Sequence, residues 1–462
     1  MNTIAEITEP AETLDPNHSS EGWRQTSGLP SLPEVFRTIK VPKGASWLRR
    51  LFAFIGPGYL VAVGYMDPGN WATDIAGGAA FNYRLLSVVL ISNFLAIFLQ
   101  ALSARLGIAT GRDLAQACRD AYSKPISIVL WISAEIAIVA CDIAEVIGAA
   151  IALNLLFGLP LIWGVLITVF DVLLVLALQH KGFRWIEILV ITLIATMMVI
   201  FGIEMLYSRP DIGGVLNGFI PSTQIVHDPR MLYIALGILG ATVMPHNLYL
   251  HSSIVQTRQY GRSVKELRDA IRMATTDSSV ALMLALFVNA AILILAAATF
   301  YRTGHHDVDS IESAYKMLTP LLGTTLAAPL FAIALLAAGQ NSTLTGTMAG
   351  QIVLEGFTQM RIAPWLRRII SRGLAIIPAI IVVYLYGERG TGQLLIFSQV
   401  ILSIQLSFAV IPLIHFTSDK AKMGTFVNGW FAKAAGWSIA AVIAGLNIYL
   451  VYTTILPHAG PK

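Results

Sequence analysis

Apolar stretches long enough to cross a membrane return along this chain with only short polar spacers between them. They lie near 51–80, 85–107, 125–157, 159–179, 186–206, 231–256, 276–301, 321–355, 373–387, 392–415 and 435–456. A helix that crosses the hydrocarbon layer needs roughly 20 such residues. The eleven stretches therefore predict an all-α polytopic membrane protein. Composition supports this: 56% of the 462 residues are hydrophobic and 13% are charged, whereas a soluble globular chain carries about 25% charged residues. An ordinary soluble enzyme is excluded.

Residues 1–45 are rich in Ser, Pro, Glu and Thr and lack the apolar core of a signal peptide. They read as a disordered cytoplasmic tail in front of one transmembrane domain, 46–462. A net charge of +4 and a pI near 9.0 point to topology and not to nucleic acid, because the basic residues sit between the spans. With the N-terminus inside, 24 of the 31 Lys and Arg residues fall on the inner side, which is the positive-inside bias and places the C-terminus outside. Two cysteines, Cys118 and Cys141, are too few for a disulfide framework or a cysteine-ligated cluster.

Spans one and six each carry a helix-breaking stretch in the middle, Gly64-Tyr65-Met66-Asp67-Pro68-Gly69-Asn70 and Ala241-Thr242-Val243-Met244-Pro245-His246-Asn247. Proline removes a backbone donor and disfavours helix in the residue before it. In lipid the freed groups are tolerable only where they line a polar site. Asp67 and Met244 lie 177 positions and five spans apart, as a five-plus-five repeat requires, and an odd repeat inverts the second half. Repeat one covers about 51–206, repeat two about 231–415, and an extra helix about 435–456. Paired breaks of this kind point to a midplane substrate site in a secondary transporter, while one break alone would be an ordinary proline kink.

An ionised Asp67 inside an apolar stretch costs at least ~2.5 kcal/mol unless paired, and a bound cation is its natural partner. Asn70 adds a carbonyl oxygen, and the unwound backbone at Gly64 and Ala241 can add more. Met244 supplies a soft thioether, which Mg²⁺ and Ca²⁺ do not use. A set of Asp, Asn and Met favours transition metals. His246 suits a ligand, a proton relay or a structural role. Glu135, Asp142 and Glu145 share one face of span three and should raise one another's affinity for protons, so they are proton-path candidates. An interhelical ion pair is the other reading, with Arg372 as an available partner. In span ten Gln399 must bond to another helix or to substrate. Asn341 in span eight fits a gate or a helix–helix contact.

On Met66-Asp67-Pro68-Gly69-Asn70 and Met244-Pro245-His246-Asn247 the chain resembles the Nramp family of divalent-metal transporters, over residues 45 to 456. The resemblance implies a LeuT-like fold of inverted five-helix repeats with an eleventh helix, and proton-coupled import of Mn²⁺, Fe²⁺ and other divalent transition metals without a cofactor. It implies metal contacts at Asp67, Asn70, Met244, the Ala241 carbonyl and Gln399, with Gly64 at a softer position and Tyr65 and His246 flanking. Asp142 and Glu145 match the family's proton-pathway acids, with Glu135 further along the stripe, and Arg372 resembles the paired arginine of helix nine. A sodium-coupled amino-acid symporter and a passive cation channel are the competing readings. A membrane enzyme lacks support, since no nucleophile–base pair or HExxH helix is present. The short tails suit a bacterial inner membrane.

Overall fold

The computed structural model describes residues 22–25, 29–33, 35–42, 44–170, 183–308 and 310–455. A short surface helix, α1 (Trp47–Phe54), leads into the broken first span, α2 (Pro57–Gly64) and α3 (Pro68–Phe81). Next come α4 (Leu86–Thr110), α5 (Leu114–Ala121), α6 (Lys124–Phe157), α7 (Leu161–Ile167) and α8 (Phe183–Ser208). The broken sixth span is α9 (Pro229–Thr242) and α10 (Pro245–Ile254), followed by α11 (Val264–Thr299), α12 (Ile311–Leu322) and α13 (Ala327–Thr358). Spans nine and ten, α14 (Trp365–Gly387) and α15 (Gly390–Thr417), run on across a kink at Gly387, whose φ of +59° suits glycine. The last described helix is α16 (Trp430–Ile455).

Among the described residues nine helices are long and apolar enough to cross a membrane. The difference from eleven spans has two sources. The second half of span one runs on into span two, so they form one helical stretch, Pro68–Thr110, and much of span four, with Asp171, lies outside the described residues.

Packing sorts the helices loosely into two groups, which meet where α9 also lies against the α14–α15 segment. In the first, α11 packs against α2, α3 and α4, with α9 on α3 and α10 on α4. In the second, α6 packs against α13 and the α14–α15 segment. Trp71 of α3 sits edge-on to Phe201 of α8 and Phe331 of α13, at centroid distances of 4.9 and 5.0 Å.

The expected disordered tail needs correction. Residues 1–21 lie outside the described residues, but the described part of 22–42 is largely docked on the bundle. Ile39–Lys40 forms β1 and pairs in parallel with β2, Arg258–Gln259, just beyond α10. Leu32 is buried in the main core, and the Trp23 ring covers the Arg112 guanidinium at 4.6 Å. Composition made this stretch look disordered, but Trp23, Leu32, Val35 and Ile39 give it an apolar side to bury.

Candidate functional site

Two prolines build the site. Pro68 opens α3 with Asp67 as N-cap, and the Asn70 N–H donates to Asp67 Oδ1 at 2.8 Å. Pro245 opens α10 with Met244 as N-cap, where the side chain makes no capping bond. A helical carbonyl is normally satisfied by the N–H four residues on. For Gly64 and Ala241 that residue is proline, so the same spacing frees both carbonyls.

Around these breaks, side-chain atoms are buried without a hydrogen-bond partner: Asp67 Oδ2, Asn70 Oδ1, Thr242 Oγ1, His246 Nδ1, both amide atoms of Asn247, and Gln399 Oε1. Buried polar groups are normally paired, so this concentration marks a place built for something else to bind. The two breaks touch. A Cβ on Gly64 would overlap Asn247 Nδ2, so the asparagine of the second break lies against the end of α2. Gln399 of α15 is wedged between the broken helices: a Cβ on Gly69 would overlap its Nε2, and one on Gly240 its backbone oxygen. Met244 is fully buried against Ala137 and Ala140 of α6 and Leu402 of α15. Tyr65 is fixed at both ends, its hydroxyl accepting from Gln100 Nε2 at 2.7 Å and its carbonyl from Asn289 Nδ2 at 2.8 Å. Asn341 lies buried on α13, both amide atoms without a hydrogen-bond partner.

Among the described residues no three His, Cys, Asp or Glu side chains gather as a metal cluster. The breaks instead offer a mixed set of one carboxylate, carboxamides, a thioether and freed carbonyls, which suits a cation that must also leave.

The acids of α6 form a second polar zone, joined to the breaks where the Pro68 ring packs over Gly148. Here Arg372, the expected partner, is joined by Arg368 and Arg367. Arg368 is the main partner, donating to Asp142 Oδ1 at 2.6 Å and to Glu145 Oε2 at 2.9 Å. Arg372, one turn on, approaches Glu145 Oε2 at 3.2 Å and donates to Thr343 Oγ1 at 2.7 Å. Arg367 grips Glu135 with two bonds, at 3.2 and 3.0 Å. Ser342 of α13 donates to Glu145 Oε1 at 2.9 Å. Three arginines thus answer three carboxylates, and the mutual repulsion expected of the stripe is offset.

The end of the bundle that carries β1 and β2 is held shut by a third cluster. Arg258 donates to the carbonyls of Phe54 and Ile55 at 3.0 and 2.8 Å and meets Glu187 Oε1 at 2.6 Å. The first N–H groups of α2 donate to Asp277, that of Gly58 at 2.7 Å. The entry to α2 is tied in this way to β2, α8 and α11.

Sequence reasoning missed Asn247, Asn289, Gln100 and the Arg258–Glu187 pair. For Asn247 the signal was present, since both breaks read x-Pro-x-Asn. The others depend on packing between distant segments.

A family model described as natural resistance-associated macrophage protein-like matches residues 58–453. The chain belongs to the Nramp family. The chain is 63% identical over 437 residues to a protein named divalent metal cation transporter MntH of Listeria innocua, covering 95% of this chain and 98% of that relative. A crystal structure of an Eremococcus coleocola manganese transporter superposes with a TM-score of 0.85 at 40% identity, covering 94% of this chain and 93% of that one. A nucleobase-cation-symport-1 family transporter in a closed conformation matches at a TM-score of 0.57 and 16% identity, over 87% of this chain and 91% of that one. The fold of this Nramp protein is LeuT-like, as the family resemblance implied.

Proposed function

We propose that the protein is a proton-coupled symporter that brings Mn²⁺, and also Fe²⁺ and related divalent transition metals, into the cytoplasm by alternating access. The observation that carries the reading is the donor set at the touching breaks: unpartnered, buried Asp67 Oδ2 and Asn70 Oδ1, with the Met244 thioether at the matching position of the other half. The names of the relatives, divalent metal cation transporter and manganese transporter, agree with it.

In this mechanism the metal sheds water onto Asp67, Asn70, Met244 and the freed carbonyls of Gly64 and Ala241, and Gln399 joins as the outer side closes. Tyr65 and Asn341 border the path. The thioether discriminates against Mg²⁺ and Ca²⁺, which bind oxygen alone. Protons enter with the metal and pass by His246 toward Asp142, Glu145 and Glu135, the carboxylates that Arg368, Arg372 and Arg367 pair. The membrane potential contributes about 2.3 kcal/mol per charge for each 100 mV, which favours import of both cations. The N-terminus is placed in the cytoplasm and the C-terminus outside, in a bacterial inner membrane, with transport and not catalysis as the activity.

The deciding experiment is Mn²⁺ uptake into proteoliposomes holding a metal-sensitive dye and a pH dye, with excess external Mg²⁺ or Ca²⁺. Saturable entry that resists competition and acidifies the lumen is the expected result. Entry without acidification would favour a passive channel, and sodium-dependent amino-acid uptake would favour a symporter of another class.

A further inference from the structure

The described residues 29–33 and 35–40 lie across the seam between the two helix groups. On one side they are bonded to the second group: Leu32 N–H donates to Glu355 Oε2 of α13 at 3.4 Å, and the Leu29 carbonyl accepts from Gln116 Nε2 of α5, which packs on α13, at 2.9 Å. On the other side they are bonded to the chain that continues from α10. Arg37 N–H donates to the Gln256 carbonyl at 3.0 Å, Arg37 donates to the Tyr260 carbonyl at 2.5 Å, and β1 pairs with β2.

Two features show that docking, and not local preference, holds this shape. Leu32 and Arg37 adopt φ of +56° and +55°, a left-handed conformation that residues other than glycine avoid unless their surroundings impose it. Leu32, 4% exposed, lines a cavity of about 470 Å³ together with Pro33, Val35, Ile186 of α8, and Met348 and Gln351 of α13. The β2 residue that pairs with Ile39 is Arg258, the one whose guanidinium holds the entry of α2 against Glu187.

We propose that residues 29–33 and 35–40 act as a clasp over the cytoplasmic mouth of the transport path, and that the β1–β2 pairing must part before the cavity beneath opens to the cytoplasm. The inference rests on the alternating-access reading above. When the two groups rock apart at this end, one end of the clasp travels with α13 and the other with β2, so a segment bonded to both cannot stay docked. Its release also frees the backbone beside Arg258, which couples clasp and gate through neighbouring atoms.

Lys40 and Gln259 are paired and exposed, whereas Cys118 and Cys141 are buried. A Lys40→Cys/Gln259→Cys protein can therefore be cross-linked selectively. Oxidation should lower Mn²⁺ uptake into proteoliposomes by about tenfold or more, since gating motions limit many turnover rates, and dithiothreitol should restore it. Equal uptake by the oxidised and reduced forms would overturn the clasp. A second readout needs no metal movement: Met348→Cys, beneath the clasp, should react with a bilayer-impermeant maleimide about tenfold faster when Leu32→Asp is added, as the open population grows. Unchanged labelling would likewise overturn the proposal. If the reduced double-cysteine protein and the unaltered chain both carry no Mn²⁺, the transport reading fails, and the labelling rate still decides whether the clasp closes the cavity.

Discussion

Two polar zones lie side by side in this apolar bundle, and they are satisfied in opposite ways. Along α6, Asp142 and Glu145 are buried and each meets a guanidinium within 3 Å. At the helix breaks, equally buried oxygens of Asp67, Asn70 and Gln399 have no partner. A buried charge without compensation costs several kcal/mol, so the first zone is a standing network and the second, under the function proposed above, is a set of donors for an arriving ion. Burial is alike in both zones; the supply of partners distinguishes them.

This contrast can be broken first at Arg368. Changing Arg368→Ala leaves two buried carboxylates with weakened compensation and should cost about 3–5 kcal/mol, seen as a large drop in the melting temperature of the detergent-solubilised protein. Asp67→Asn should behave conversely. It removes an uncompensated carboxylate and should hold or raise that temperature, while Mn²⁺ binding measured by calorimetry falls by about 100-fold or more, the scale of losing a charged ligand. If Asp67→Asn destabilised the protein as much as Arg368→Ala, the distinction between the zones would be lost.

Gly69→Ala sharpens the picture of Gln399, because its new Cβ would occupy the place of the glutamine amide. Uptake should fall to the level of Gln399→Ala, and the double variant should add little further loss. Met244→Ala tests selectivity and should improve competition by Mg²⁺ or Ca²⁺ more than it harms Mn²⁺ uptake. An unchanged competition profile would remove the soft-ligand argument. The smallest effect is expected at Glu135, whose side chain is 27% exposed. Glu135→Gln should alter stability by about 1 kcal/mol or less, as for other partly exposed pairs.

The breaks were legible in the sequence because proline acts locally: four residues around Pro68 and around Pro245 are enough to locate them, and their spacing gives the repeat. The acid stripe was legible for the same reason, since α6 is regular and 3.6-residue periodicity fixes its faces. Its partners were not. Arg367, Arg368 and Arg372 are close in sequence, and only the rotation and depth of α14 against α6 decide that Arg368 reaches both Asp142 and Glu145, that Arg372 joins it at Glu145, and that Arg367 meets Glu135. The docked clasp was hidden because composition averages over a window, whereas a few apolar residues such as Leu32 suffice to anchor an extended segment once a groove exists. Asn289 and Gln100 escaped because single amides in apolar helices look alike until their neighbours are known.

The spacing from Gly64 to Pro68 and from Ala241 to Pro245 also determines where this site is open to genetic damage. The freed oxygens belong to the backbone, so a change of side chain at position 241 does not delete the one it bears. The instruction that keeps each oxygen out of the helical ladder is written four residues downstream, in a ring that carries no donor. Replacing Pro245 by alanine would leave every side chain of the donor set in place and yet allow an N–H to close on the Ala241 carbonyl.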